Sequence, residues 1–259
     1  MAVTIAISNQ KGGVAKTTSC ASLGAALVER DREVLAVDLD PQANLTLALG
    51  ARPADMRRTV TDVLLGNYSP VSVSRETALP GLDLMPANQG LQLVEKFLHV
   101  RENYEHILRR ALSALMAYDL VLCDCPPALG AVTLNALVAA DLLIIPTQCE
   151  VFSAHALNEM IERVRQLRQR LNPRLDYRLL ITMLDRRNRI HRSIHDQIRE
   201  TFGQAVLETA VETDTKLRES AVFGRPITVY APASRAAGQY RALAEELLDY
   251  VRQKAASSS

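Results

Sequence analysis

The 259-residue chain carries almost no net charge: 30 lysines and arginines face 29 aspartates and glutamates, a formal +1. That balance excludes a wholly basic nucleic-acid binder but leaves room for a local basic patch. No apolar run approaches the roughly 20 residues of a membrane span, and the first strand starts almost at once, leaving no room for a signal peptide. A protein neither secreted nor transmembrane is expected. Tryptophan is absent and aromatics make up 4% of the chain, with no aromatic ladder for stacking bases. The four cysteines, Cys20, Cys123, Cys125 and Cys149, sit in apolar runs without C-x-x-C spacing. They read as small buried thiols of a cytoplasmic protein rather than disulfides or a metal site. No fixed-period repeat interrupts the sequence. One domain over residues 1–254 is expected, with a low-complexity, disordered tail at 255–259.

What the chain does contain is a phosphate-binding turn. Ser8-Asn9-Gln10-Lys11-Gly12-Gly13-Val14-Ala15-Lys16-Thr17-Thr18 lies between the β-branched run Val3 to Ile7 and the small, apolar, helix-like stretch Cys20 to Val28. In a strand, glycine turn and helix taken in that order, successive backbone N–H groups and the positive helix end converge on one point, which suits a triphosphate. Gly12 and Gly13 let the backbone approach; Val14, Ala15 and Thr18 belong to the same cradle. Lys16 is placed to reach the β- and γ-phosphates and Thr17 to ligate Mg²⁺, the division of labour of a Lys-Ser/Thr phosphate loop.

Two more carboxylate-bearing segments follow. Glu33 to Val37 is a strand ending in Asp38-Leu39-Asp40-Pro41-Gln42, and Tyr118 to Cys123 is a strand delivering Asp124 before Cys125-Pro126-Pro127. In open α/β sheets ligands bind at that strand edge, where carboxylates hold Mg²⁺-bound water or orient an attacking water. Asp124 fits the Walker B position. Further strands are expected at Gly81 to Ala87, Leu142 to Thr147 and Leu179 to Met183, with helical stripes at Leu91, Val94, Phe97 and Leu98, at Ile107, Leu108, Leu112 and Leu115, and over Ala154 to Leu171. The stripes read as core. Strands alternating with helices predict a doubly wound α/β fold, a mostly parallel sheet with helices on both faces.

Gln10 and Ala15 stand where the usual phosphate loop has glycine, so the fitting pattern is Lys-Gly-Gly-x-x-Lys-Thr. This deviant Walker A loop, with a second lysine at its start, resembles that of the ParA/Soj and MinD family of ATPases. The resemblance extends through Asp38 to Gln42 (switch I), Asp124 to Pro127 (switch II), Phe223-Gly224-Arg225-Pro226-Ile227 and Pro232 to Arg235. It implies that ATP and Mg²⁺ are the cofactors, that Lys11 crosses the interface of an ATP-bound homodimer, and that Asp40 positions the hydrolytic water. Lys11, Lys16 and Asp40 are thereby the catalytic candidates, and Thr17, Asp38 and Asp124 the metal candidates. Relatives carry Pro-Arg-Asn near the adenine where this chain has Glu212-Thr213-Asp214, leaving Asp214 as the residue able to accept from an adenine amino group. If Ala15 must adopt positive φ, its methyl costs about 1 kcal/mol.

Between Ile161 and Arg199 eleven arginines face only Glu162, Asp176, Asp185 and Asp196, an excess of seven positive charges. The residues alone leave two readings open: a salt-sensitive phosphate-backbone surface, or a solvated helix face with Ile161, Val164, Leu167 and Leu171 turned inward. The resemblance favours non-specific double-stranded DNA and brings Arg187 and Lys216 onto basic positions of the family, with Arg186, Arg189 and Arg218 beside them. It also implies a nucleoid-associated cycle of chromosome, plasmid or cargo segregation and a ParB-like partner that stimulates slow hydrolysis. A MinD-like membrane cycle is the alternative, opposed by the acidic polar side of Leu243 to Val251; a nucleotide-independent DNA-binding scaffold is another. A P-loop starting at residue 8 leaves no N-terminal helix-turn-helix, so operator-specific repression is not expected.

Overall fold

Short runs of branched apolar residues, uninterrupted by charge, form strands that need covering on both faces. In the computed structural model, which describes residues 2–150 and 153–257, the strands are Val3–Ile7 (β1), Val34–Asp38 (β2), Arg75–Glu76 (β3), Leu82–Met85 (β4), Leu120–Asp124 (β5), Leu142–Gln148 (β6) and Asp176–Thr182 (β7), with β1 and β6 free of charge and β3 wholly charged. They make one sheet in the order β3-β4-β2-β5-β1-β6-β7. All pairings are parallel except the two-residue edge strand β3, which runs antiparallel to β4.

Lys16–Val28 (α1), Asn44–Ala48 (α2), Val60–Leu64 (α3), Pro70–Val73 (α4), Leu91–Phe97 (α5), Ile107–Ser113 (α6), Ala131–Ala139 (α7), Ser153–Arg170 (α8), Arg189–Phe202 (α9), Thr215–Val222 (α10), Ile227–Tyr230 (α11) and Arg235–Ser257 (α12) complete the order. Alternate strand residues feed two cores. Ile5, Ile7, Val34, Ala36, Leu120 and Leu122 pack with Leu23 and Leu27 of α1 and Tyr240, Leu243 and Leu247 of α12. Ala6, Leu35, Val37, Val121 and Cys123 pack on the opposite face with Leu91, Leu108, Ala136 and Val164. A period of two on each strand thus separates the layers, as the sequence predicts for a doubly wound sheet. All four cysteines are buried and free, and burial pushes the Cys123 thiol up to about 12.

One expectation needs correction. Leu91, Val94 and Leu98 are buried, but Phe97 is 63% exposed: steps of three and four keep the first three on one helix face, whereas Phe97 is six residues from Leu91 and points off it. Helix α12 runs through Ser257, and of the tail expected to be disordered, residues 258–259 lie outside the described ones. Among the described residues no helix is long and apolar enough to cross a membrane.

Candidate nucleotide site

The phosphate turn leaves β1 between β5 and β6 and enters α1, and its shape is set by left-handed residues. Gly13 has φ +73° and Ala15 φ 67°, ψ 32°. Ala15 is the N-cap of α1 and offers no side-chain cap, so the first-turn amides of a 13-residue helix are left for an anion. The methyl of Ala15 is a strained substitution in that region. Ala15→Gly is therefore expected to stabilise the nucleotide-free protein by about 0.5–1 kcal/mol, raising the thermal midpoint by about 2 °C, read by calorimetry.

Neighbouring strand ends hold the loop in place. Gln148 at the end of β6 donates to the Gly13 carbonyl at 3.0 Å, the Thr182 hydroxyl at the end of β7 donates to the Val14 carbonyl at 3.1 Å, and the Asn9 amide donates to the Pro146 carbonyl at 2.7 Å. Lys16 is buried, and its ammonium donates back to the Lys11 carbonyl at 3.0 Å. Desolvation lowers its pKa against the opposing pull of Asp124. Lys11 stands on the exposed lip, its ammonium on Glu150 at 2.5 Å.

Parallel register brings Asp38 and Asp124 side by side at the ends of β2 and β5. The Thr17 hydroxyl donates to Asp124 Oδ2 at 2.7 Å, while Asp124 Oδ1 is buried without a hydrogen-bond partner. Burial, then the nearby Asp38 charge, raises the Asp124 pKa well above the carboxylate range. A buried orphan oxygen beside a threonine hydroxyl fits a cation with its water shell. Among the described residues no group of three or more His, Cys, Asp or Glu is gathered for a metal. Mg²⁺ takes one or two protein ligands and completes its shell with water and phosphate.

Asp38 has other work. Its Oδ2 accepts from the Thr46 backbone at 2.8 Å and from the Thr46 hydroxyl at 2.7 Å, its Oδ1 accepts from the Asp40 backbone at 3.1 Å, and the Thr46 oxygen in turn accepts from the Ala87 backbone. These bonds pin α2 to the sheet at the residue expected to serve the metal. Asp40 does line the cleft, with Oδ1 taking the Gln42 backbone at 2.8 Å.

The cleft has a volume of about 640 Å³ and runs from Gly12, Gly13, Lys16, Thr17 and Thr18 to Asp40 and Pro127. Its far wall is Leu47, Ala48, Met183, Val222, Arg225 and Pro226. Asp214 is not part of that wall. It caps α10, Oδ1 accepting from the Lys216 backbone at 2.9 Å, with the Ala236 backbone on Oδ2. At the residue expected to meet the adenine, the structure shows a helix cap, this residue type's commonest local use. Sequence reasoning missed Gln148, Thr182, Glu150 and Arg225; the first two could have been found by asking which polar residues end the strands flanking the loop.

The basic candidates are all exposed and fall into two groups. Arg186, Arg187 and Arg189 follow β7, and Lys216 and Arg218 lie on α10. A backbone bridge between Leu184 and Glu212 joins the two regions. Arg187 pairs with Asp185, Arg186 with Glu212 and Lys216 with Glu219. Exposed pairs of this kind are worth little and yield readily to phosphate. In α8, Ile161, Val164 and Leu167 are buried as expected, with Arg163, Arg165, Arg168 and Arg170 outward; Leu171, just past the helix, is half-buried.

This fold and loop define a P-loop nucleotide-binding protein of the α/β class. The AAA domain family matches residues 2–177. The chain is 37% identical to the chromosome partitioning protein ParA of Caulobacter vibrioides, covering 98% of this chain and 97% of that protein. It is 38% identical to the sporulation initiation inhibitor protein Soj of Bacillus subtilis, covering 94% and 97%. Among solved structures, it superimposes on the cobyrinic acid a,c-diamide synthase of Mycobacterium smegmatis with bound ADP and magnesium, with a TM-score of 0.86, 36% identity and coverage of 97% and 96%; the same protein is known with an ATP analogue and magnesium. The chain belongs to the ParA/Soj family of P-loop ATPases.

Proposed function

We propose that this chain is an ATP-driven switch: bound to ATP and Mg²⁺ it forms a homodimer that holds non-specific double-stranded DNA, and hydrolysis, stimulated by a ParB-like partner, releases it. The cycle serves segregation of a chromosome or plasmid, or placement of a cargo on the nucleoid of the cytoplasm. The observation that carries this reading is the opposite placement of two lysines in one loop, Lys16 buried on the Lys11 carbonyl and Lys11 exposed on Glu150. An inward ammonium serves the chain's own phosphates. An outward one, held only by a surface pair, is available to a partner's.

In this reading the α1 amides and Lys16 hold the phosphates, Thr17 and Asp124 orient the metal's shell, and Asp40 aligns water for in-line attack. The Mg²⁺ ion supplies charge neutralisation across the phosphate oxygens. The exposed arginines and Lys216 give sequence-independent affinity that weakens with salt.

Retention of duplex DNA by the wild type and by Lys11→Ala, with ATP and Mg²⁺, with ADP and Mg²⁺ and without nucleotide, across a salt series, tests the whole reading. Only wild type with ATP is expected to bind, at least tenfold better than Lys11→Ala, and the binding should fall steeply with salt. Binding indifferent to nucleotide and to Lys11 would replace the switch with a passive DNA scaffold.

A further inference from the structure

The segment from Asp124 to α7 is held at both ends, and the distal hold comes from a residue outside the cleft. At its proximal end the Asp124 carbonyl accepts from Leu39, the Cys125 backbone donates to the Ile7 carbonyl at 3.1 Å, and the Asp124 carboxylate takes Thr17. At the distal end Glu95 of α5 lays its carboxylate over the first turn of α7: Oε1 accepts from the Ala131 backbone at 2.7 Å and Oε2 from the Val132 backbone at 3.0 Å. These amides have no partner within their own helix. The helix's own N-cap, Gly130, offers no side chain.

Gly130 explains itself by the same contact. A Cβ there would sit 1.5 Å from Glu95 Oε1 and 2.6 Å from its carboxyl carbon, while its φ of −90° is open to any residue. A side chain at this position is compatible with the backbone but would displace the Glu95 carboxylate, so glycine preserves the contact. Between the two anchors lie Pro126, Pro127, Ala128 and Leu129; the prolines have no N–H to pair, and Pro127 lines the cleft. A bidentate carboxylate on a helix N-terminus is among the stronger hydrogen-bonded arrangements available to a side chain.

We propose that Glu95 is a positioning residue for hydrolysis: by clamping the start of α7 it fixes how far the Pro126–Leu129 loop stands from the phosphates, so that Asp124 and Pro127 meet ATP in one geometry. It touches no reactant. The inference rests on the ATPase reading above and deepens it by naming a control outside the cleft.

Glu95→Ala and Gly130→Ala attack the contact from its two sides. Each is expected to lower kcat for ATP about tenfold while leaving KM within about twofold, because misplacement of the loop affects the transition state rather than binding. The double variant is expected to be no worse than the poorer single one. Glu95→Gln, which keeps one accepting oxygen, should recover turnover to within about threefold of wild type. Hydrogen exchange supplies a readout independent of turnover: the Ala131 and Val132 amides lose at least tenfold in protection in Glu95→Ala, while those of β5 do not change. Additive losses, a fall in melting temperature with kcat intact, or unchanged exchange at Ala131 and Val132 would overturn the proposal. Should the wild type itself fail to turn over ATP, the ATPase reading falls, and the Glu95 clamp as a control of hydrolysis falls with it; unchanged exchange alongside normal wild-type turnover sinks the clamp alone.

Discussion

Asp40→Ala is expected to lower ATP turnover at least about 100-fold while ATP is still bound. In the proposed reading the phosphates are held by the α1 amides and Lys16, on which Asp40 is only the weakest of the acting charges. What the substitution removes is the cleft-lining carboxylate proposed to align the attacking water, and loss of such a group typically lowers a rate by two to four powers of ten. Asp40 Oδ1 also accepts from the Gln42 backbone, so Asp40→Asn, which preserves that acceptor, separates loss of the loop's shape from loss of the charge. Single-turnover kinetics alongside fluorescent-nucleotide binding make the check. Under the proposed switch the variant stays on DNA in ATP, because release is what hydrolysis provides; a variant that neither binds ATP nor retains DNA would move Asp40 from chemistry to architecture.

The second large effect concerns charge crowding beneath the loop. The Asp38 pKa is raised from 3.8 to about 6, first by burial and against the bonds from Thr46 and Asp40, and Asp124 beside it is raised as well. Between pH 3.8 and about 6 the folded chain holds a proton on Asp38 that the unfolded chain has released. The stabilisation is therefore present at low pH and is lost as pH rises through 6, amounting to roughly 3 kcal/mol from Asp38 by pH 7. Most of that loss falls between pH 4 and pH 5.5, and about 1 kcal/mol of it remains above pH 5.5, so the nucleotide-free protein is expected to melt about 2–4 °C higher near pH 5.5 than at pH 7.5, and Asp38→Asn is expected to flatten most of that slope. Mg²⁺ with ATP neutralises the same cluster, so its stabilising effect should be larger at pH 7.5 than at pH 5.5. A midpoint that does not fall on going from pH 5.5 to pH 7.5 would show that the cluster is relieved by some other route.

Strands were legible because parallel, doubly covered strands are written as unbroken apolar runs, and β1, β5 and β6 fall where those runs lie. The order of phosphate loop, Asp38 to Asp40 and Asp124 was legible for a related reason: each follows such a run directly, and a parallel sheet sends all three strand ends to one edge. Ala15 was legible as a conditional cost, and its observed φ meets the condition. The misses are of a different kind. Nothing local in the sequence connects Glu95 to Gly130, Gln148 to Gly13 or Asp38 to Thr46, since these bonds exist only once distant elements have docked. The cap made by Asp214 was not read, because a short acidic side chain before a helix suits a cap and a base contact equally. The two-residue β3, Arg75 and Glu76 both exposed, carries no apolar pattern to read.

Gly224, at φ +60°, lies so close to the end of α2 that a Cβ would come 2.9 Å from the Leu47 carbonyl and 3.1 Å from the Gly50 Cα. The turn after α10 and the turn after α2 are thus in backbone contact, with no side chain between them to flex. In mechanical terms this is a stiff joint rather than a spring, since neither turn can come closer to the other without moving backbone. In evolutionary terms it ties two distant positions into one constraint, because any side chain gained at residue 224 must be accommodated by moving the backbone at residue 50.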